Sequence, residues 1–335
     1  MKMNTPAAKD LKTSTVEPLK ETIEIRPLVL RANTNASLLH FVDFASQWHF
    51  RTHADTRRYF EREYGITDAD RKMFDQYASV RHDFGHPAET ELLQWAYEGF
   101  PDHPKFTQLR SAIDYFAQRS NGQRTVRQEM ESHDKNIAEW IEKLNKEIHE
   151  VHLDRVVVQM QRLFDRPHAS EPAVVAYLVA GVNDSVRGGA NGEGIYMEIQ
   201  KSDRQNPIQV LAHEYLHKVV SASVYYQAPE FSDFWPEVTN IYRASYLDFI
   251  EEVITYAVTN VIMFGQNPER TRAMWSELID DLADRERMIL LWNTIEKAVP
   301  ILRNYLDDKT DIATTRGKLE NLFRTVLNDT RQTTQ

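Results

Sequence analysis

Two histidines four residues apart, with a glutamate after the first, are the most chemically specific feature of the chain: His213-Glu214-Tyr215-Leu216-His217. Just upstream, Asn206-Pro207 reads as a helix start, an Asn cap followed by Pro in the first turn. Ile208, Leu211, Ala212, Tyr215, Leu216, Val219 and Val220 then recur at helical spacing. On such a helix the imidazoles of residues i and i+4 project from one face, one turn apart. One zinc ion can take both nitrogens there at about 2.0–2.1 Å. Glu214 lies too close in sequence to be a convenient third ligand. It is well placed to take a proton from a water on the metal, as an H-E-x-x-H motif requires.

Other histidine pairs in the chain lack this context. His49 and His53 are also four apart, but Phe50 stands at the Glu position. His82 and His86 flank Gly85 and precede Pro87, which argues for a loop. His149 and His152 are three apart on a charged stretch. These pairs are expected to be solvated or capping histidines.

A catalytic zinc takes three protein ligands and keeps one position open for water, so the elements around the motif must supply a third. Before it, Ala173 to Val179 is a short apolar, β-branched run that reads as a buried strand, and Ile195 to Ile199 alternates as a second strand. Between them lies a turn region holding Gly181, Gly188, Gly189, Gly192 and Gly194. It contains no G-x-x-x-x-G-K-[ST], so it is read as a turn rather than a phosphate cradle. After the motif come a loop rich in aromatics (Tyr225, Tyr226, Phe231, Phe234, Trp235) and an apolar helix over 240–264. That helix carries Glu251 and Glu252. Carboxylates on so apolar a background need a partner, and a metal would be one. Glu251 falls in line with Leu247, Ile254 and Val258, the apolar face expected to pack on the motif helix. Glu252 groups with Asp248, Thr255 and Thr259. Glu251 is therefore favoured as the third ligand, with Glu252 as the fallback.

The arrangement resembles the gluzincin metallopeptidases, in which H-E-x-x-H is completed by a Glu on a later helix. Aminopeptidase-like members carry E-G-F-A-[ST]-Y around that Glu, and Glu251-Glu252-Val253-Ile254-Thr255-Tyr256 is similar when Glu251 takes the ligand place. The likeness covers roughly residues 173–262, while the flanking helical regions look more like uncharacterised bacterial peptidases than a described subfamily. Thermolysin-like enzymes have Asn before the third ligand and Asp four residues after it; Ile250 and Thr255 stand there in this chain. The exopeptidase motif G-x-M-E-N is absent, with Gly194-Ile195-Tyr196-Met197-Glu198 a faint echo. The resemblance implies a zincin-like core, Zn2+ held by His213, His217 and Glu251, and Glu214 as general base for hydrolysis of a peptide bond. It also implies a donor to the oxyanion. Tyr242 and Tyr246 are candidates, Tyr242 at the thermolysin-like spacing of nine residues before Glu251. The strand at 195–199 is a candidate edge for pairing with an extended substrate, and the aromatic loop at 225–235 a candidate side-chain pocket.

The rest of the chain bounds these readings. Residues 1–21 are polar and Lys/Thr/Ser/Pro-rich; a disordered tail is expected, and no secretory signal. Residues 22–166 read as a mainly helical region with one short strand ending at Leu30, where Pro27 suggests a sheet edge. Helices are expected over 37–63 with Gly65 as the stop, from Thr67 with Asp70 completing a cap, over 88–98 and 104–118, and as one long element across 123–164. Residues 167–264 form the expected catalytic core and 265–335 a helical C-terminal region. The fold class is thus α+β, mostly helical, with a small mixed sheet beside the motif helix. A net charge of −10 argues against nucleic acid as the main partner. No apolar run of about 18 residues is present, so no membrane span is expected. With no cysteine, disulfides, thiol catalysis and a thiolate zinc site are excluded, while the compartment and the oligomeric state stay open. The expected partner is a peptide or protein substrate. A zinc-binding but non-proteolytic protein, and a helical interaction scaffold carrying the motif incidentally, are the competing readings.

Overall fold

Seven consecutive apolar residues, Val174–Ala180, form the central strand of a sheet, because only a strand covered on both faces accepts so continuous an apolar run. The chain is seen in a computed structural model that describes residues 11–15, 27–49, 54–85, 88–164, 173–182, 187–190, 193–200, 207–219, 246–264 and 285–333. The strands are β1 (Leu11–Thr15), β2 (Leu28–Ala32), β3 (Val174–Ala180), β4 (Gly188–Gly189) and β5 (Gly194–Ile199), in spatial order β1-β2-β3-β5-β4. The central three run parallel, with Leu30 opposite Ala176 and Ala176 opposite Ile195. β1 and β4 are antiparallel to their neighbours. The helices are α1 (Thr34–Ser46), α2 (Ala54–Tyr64), α3 (Asp68–Phe84), α4 (Glu89–Tyr97), α5 (Thr107–Gln118), α6 (Val126–Glu131), α7 (Asp134–Glu150), α8 (Leu153–Leu163), α9 (Pro207–Val219), α10 (Tyr246–Phe264), α11 (Arg285–Leu306) and α12 (Ile312–Thr333). The expected mostly helical α+β class with a small mixed sheet is what the described residues adopt.

Several local expectations change. β2 is not an edge: β1, from within the segment expected to be a disordered tail, pairs with its outer side. Pro27 is accommodated because it precedes the strand and offers only its carbonyl, which accepts the Val174 N–H at 2.9 Å. β5 is not an edge either, because Gly188 and Gly189, in what reads as a turn, pair with Met197 and Tyr196. The helical stretch read across 37–63 is two helices. α1 ends at Gln47, whose left-handed φ of 56° turns the chain away. The long element read across 123–164 is three, α6, α7 and α8, and His152 at φ 51° marks the last break. Two local signals hold. Thr67 and Asp70 form a reciprocal capping box on α3. Gly65, at φ +67°, follows α2 and donates its N–H to the Glu61 carbonyl.

The chain divides into two compact units, each taken by itself, with divisions inside α7 after Glu147 and inside α9 after Tyr215. The first unit holds the sheet and α1–α6, and its core is α1, whose every described side chain from Asn35 to Ser46 is buried. So complete a burial forces its polar groups into pairs. His40 Nε2 lies 3.0 Å from Glu198 Oε1 on β5. Asp43 accepts from Arg81 Nε at 2.8 Å and from the Tyr77 hydroxyl at 2.9 Å. The Arg81 guanidinium also lies over the Trp48 ring, 3.9 Å from its centroid. In the second unit α10 packs on α11 and α11 on α12. α8 joins through Tyr305, whose hydroxyl donates to the Gln159 carbonyl, and Arg316, which donates to the Leu163 carbonyl. Among the described residues no helix is long and apolar enough to cross a membrane.

Candidate metal centre

The motif lies on α9, which begins at Pro207, where a missing N–H costs nothing. Ile208, Leu211, Ala212, Tyr215, Leu216 and Val219 are buried and fix the rotation of the helix about its axis. His213 is buried as well, only 8% exposed, while Glu214 and His217 are half-buried. His213 and His217 therefore share one face, one turn apart, as the spacing predicts.

α10 brings the acidic pair to His217. Its Phe249, Ile250, Val253, Ile254, Ala257 and Val258 are buried, and so are Thr255 and Thr259, each 1% exposed. The threonines of the stripe read from the sequence as the more polar one are thus buried too, while its Glu252 is half-buried. This stripe meets His217 at Nε2, which lies 3.4 Å from Thr255 Oγ1 and 3.7 Å from Glu252 Oε1. The Thr255 hydroxyl donates to the Glu251 carbonyl at 2.8 Å. Glu251, expected to face the metal, instead has Oε1 3.0 Å from the other imidazole nitrogen, Nδ1. The physical reason is helical. Neighbouring residues differ by about 100° around the axis, so the two carboxylates straddle the ring.

Among the described residues, His213, His217 and Glu252 form the one group of histidine and acidic side chains close enough to share an ion, with ligand atoms all within 4.8 Å. Ligand atoms around a tetrahedral zinc at about 2.0–2.1 Å are about 3.3 Å apart. The His217–Glu252 separation is near that value, and the whole set needs to draw in by about 1–1.5 Å, within reach of side-chain rotation. Two imidazoles and one carboxylate are also the donor chemistry of a catalytic zinc.

On its other side Glu214 meets the sheet edge. A Cβ added at Gly188 would lie 2.6 Å from Val210 Cγ1 and 3.2 Å from Glu214 Cγ, so β4 runs in direct contact with the turn of α9 that bears Glu214. At Gly189 an added Cβ would lie 2.5 Å from the Tyr196 ring. Burial pushes the Tyr196 hydroxyl well above the usual tyrosine range, and the charges of Glu89, Glu198, Glu214 and Asp43 push it the same way. Neither Gly188 nor Tyr196 stood out in the sequence as a neighbour of the site. The Gly-Gly doublet was the available signal, since paired glycines mark a close backbone approach.

The remaining candidates fall as follows. Tyr246 is the first residue of α10, and Tyr242 and the aromatic loop at 225–235 lie outside the described residues. Asn206, the expected cap, also lies outside them. His149 is in the last turn of α7 and His152 precedes α8 with a left-handed backbone, so that pair does not share a helix face. His82 is in the last turn of α3 rather than a loop, and His53 and His86 lie outside the described residues.

No family model, no curated protein and no solved structure matches the chain.

Proposed function

We propose that this chain is a zinc-dependent hydrolase of peptide bonds, with a zincin-like core in which His213, His217 and Glu252 hold the ion. The observation that carries this reading is the grouping of those three side chains, from two helices, with Glu214 on the same turn as the histidines. The geometry favours Glu252 over Glu251 as third ligand, the reverse of the preference drawn from helical position. When bound, zinc supplies Lewis acidity that makes water acidic near neutral pH and polarises a carbonyl.

The chain's own groups do the rest. Glu214 accepts a proton as water adds to the scissile carbonyl carbon. It then returns that proton to the amide nitrogen as the C–N bond breaks, leaving a carboxylic acid and an amine. Among the described residues β4 is the last strand of the sheet beyond β5, and it touches the turn that bears Glu214. An extended peptide pairing with β4, rather than with β5, would pass beside the base by strand addition. Glu198 sits in the faint echo of the exopeptidase motif, but it is buried against His40. This favours internal cleavage over capture of a free amino terminus.

Zinc content of the purified protein and the variant Glu214→Gln test the reading together. Stoichiometric zinc is expected in both proteins, with peptide hydrolysis lowered about 10²- to 10⁴-fold in the variant, as for loss of a general base. Absence of zinc from the wild-type protein at neutral pH rejects the reading. Zinc without any hydrolysis in the wild-type protein leaves a metal-binding protein instead.

A further inference from the structure

We propose that Glu251 is a positioning residue, holding the His217 imidazole with its proton on Nδ1 so that Nε2 presents a lone pair toward Glu252; this rests on the metal site proposed above.

The inference starts from what each atom can do. A carboxylate only accepts hydrogen bonds, so the nitrogen it meets must be the donor. Glu251 Oε1 is 3.0 Å from His217 Nδ1, within hydrogen-bond range, whereas Glu252 Oε1 is 3.7 Å from Nε2. Nε2 also has the Thr255 hydroxyl oxygen at 3.4 Å, so Glu251 holds one end of the ring while Thr255 and Glu252 share the other. Turning the ring over would set a carbon against Glu251 and forfeit the bond, so the contact selects the ring orientation as well as the tautomer. The pair is well shielded: His217 is 15% exposed and Glu251 20%. In such a setting a charge-assisted hydrogen bond is strong. The Thr255 hydroxyl donates to the Glu251 carbonyl, tying the backbone of α10 to the same turn.

A ligating histidine gains from this arrangement in two ways. Its lone pair is already directed, and the carboxylate makes the imidazole a better donor to the metal. The sequence resemblance did not supply this partner, since Thr255 stands where that family pattern has Asp. The acidic pair divides the labour instead, Glu252 toward the ion and Glu251 behind the histidine.

The test uses full-length protein with ¹⁵N-labelled histidine and two readouts. First, in metal-free protein at alkaline pH, where imidazole is neutral, the ring nitrogen shifts report the tautomer; the His217 signals are assigned by their loss in His217→Gln. The wild-type protein is expected to hold the Nδ1–H form, and Glu251→Ala a mixture weighted to Nε2–H. Second, zinc affinity is read by competition with a chromogenic chelator. Glu251→Ala is expected to weaken it about 10- to 100-fold. Glu251→Gln keeps an acceptor oxygen and should preserve the tautomer with a smaller loss of affinity, while Glu251→Met keeps the length without the oxygens, should shift the tautomer as alanine does, and covers the case in which the alanine variant fails to fold. Glu252→Gln is expected to lower affinity far more than either.

Unchanged His217 shifts in Glu251→Ala or Glu251→Met overturn the proposal, as does zinc binding that survives Glu252→Gln but not Glu251→Gln. That second result would make Glu251 the ligand while leaving the metal site standing. A wild-type protein that binds no zinc removes the metal site, and the tautomer readout still decides the link between Glu251 and His217.

Discussion

Gly188→Ala is the substitution that most directly probes the contact between the sheet edge and the base. Gly188 has no left-handed φ, so its need for glycine comes from the space around it and not from its own backbone. The added methyl carbon would sit 2.6 Å from Val210 Cγ1, where ordinary contact begins near 3.4 Å, and 3.2 Å from Glu214 Cγ. Relief requires roughly an ångström of movement between β4 and α9. Overpacking of this kind costs about 1–3 kcal/mol, against about 0.4–1 kcal/mol gained by restricting the unfolded chain. A net loss of about 1–2 kcal/mol is expected, readable as a fall of about 1–3 °C in the melting temperature of a chain of 335 residues. Hydrolysis should suffer more than stability, because a displacement of about 1 Å at a catalytic group costs on the order of 100-fold in rate. Val210→Ala removes the closest obstacle. The double variant Gly188→Ala/Val210→Ala should therefore recover most of the lost stability, with a coupling energy of about 1–2 kcal/mol in a double-mutant cycle. Thermal melts of the four proteins, with kcat/KM on an internally quenched peptide, make the measurement. Strict additivity of the two substitutions, or an alanine at 188 with wild-type stability and rate, would refute the contact and the place of β4 beside Glu214.

Two further outcomes concern the scaffold. Burial alone would raise the Asp70 carboxyl, but hydrogen bonds from Thr67, Arg119 and Tyr115 hold it below its ordinary value. With the folded value below the unfolded one, the unfolded chain binds more protons, so the stabilisation is present above about pH 4 and is lost as pH falls through the folded value. Asp70→Ala should cost about 3–5 kcal/mol at pH 7, measured by urea denaturation, because it takes the carboxylate from Arg119 and removes one half of the α3 capping box. The gap to the wild-type protein should narrow toward pH 3, and a gap independent of pH argues against the assignment. For the buried pair of α1 and β5, His40→Leu should cost about 3–5 kcal/mol by leaving Glu198 uncompensated, while His40→Leu/Glu198→Leu should be nearer to wild type than the single variant. A double variant that is the less stable of the two would mean the pair is worth more than its desolvation.

What the sequence disclosed was local. The Thr67–Asp70 cap, the stop at Gly65 and the helix start at Pro207 each depend on groups within a few residues of one another, so their chemistry is written in order along the chain. The β3 run was legible for a similar reason, since its continuous apolar character states that both faces are covered. Pairing is another matter. β4 is two glycines with no strand period, and it becomes a strand only because Met197 and Tyr196 pair with it. The partnership of His40 with Glu198 spans 158 residues and has no local signature.

The site shows the same boundary in sharper form. That two carboxylates on an apolar helix require a partner follows from the cost of burying charge, and α10 does bring them to a histidine of the motif. Helical position preferred Glu251, whereas Glu252 is the one that groups with the two histidines, because face assignment on α10 took apolar residues to mark the contact with α9. Thr255 and Thr259 are as buried as the leucine-like positions beside them. Two buried hydroxyls and a half-buried carboxylate cost little when the stripe meets a ring nitrogen. Near a polar centre the contacting face of a helix is set by which groups complete one another's hydrogen bonds and charges, and hydrophobic periodicity is blind to that. Glu252 and Thr255 lie one turn apart on that polar stripe, which is the register the half-buried His217 imidazole on the neighbouring helix demands.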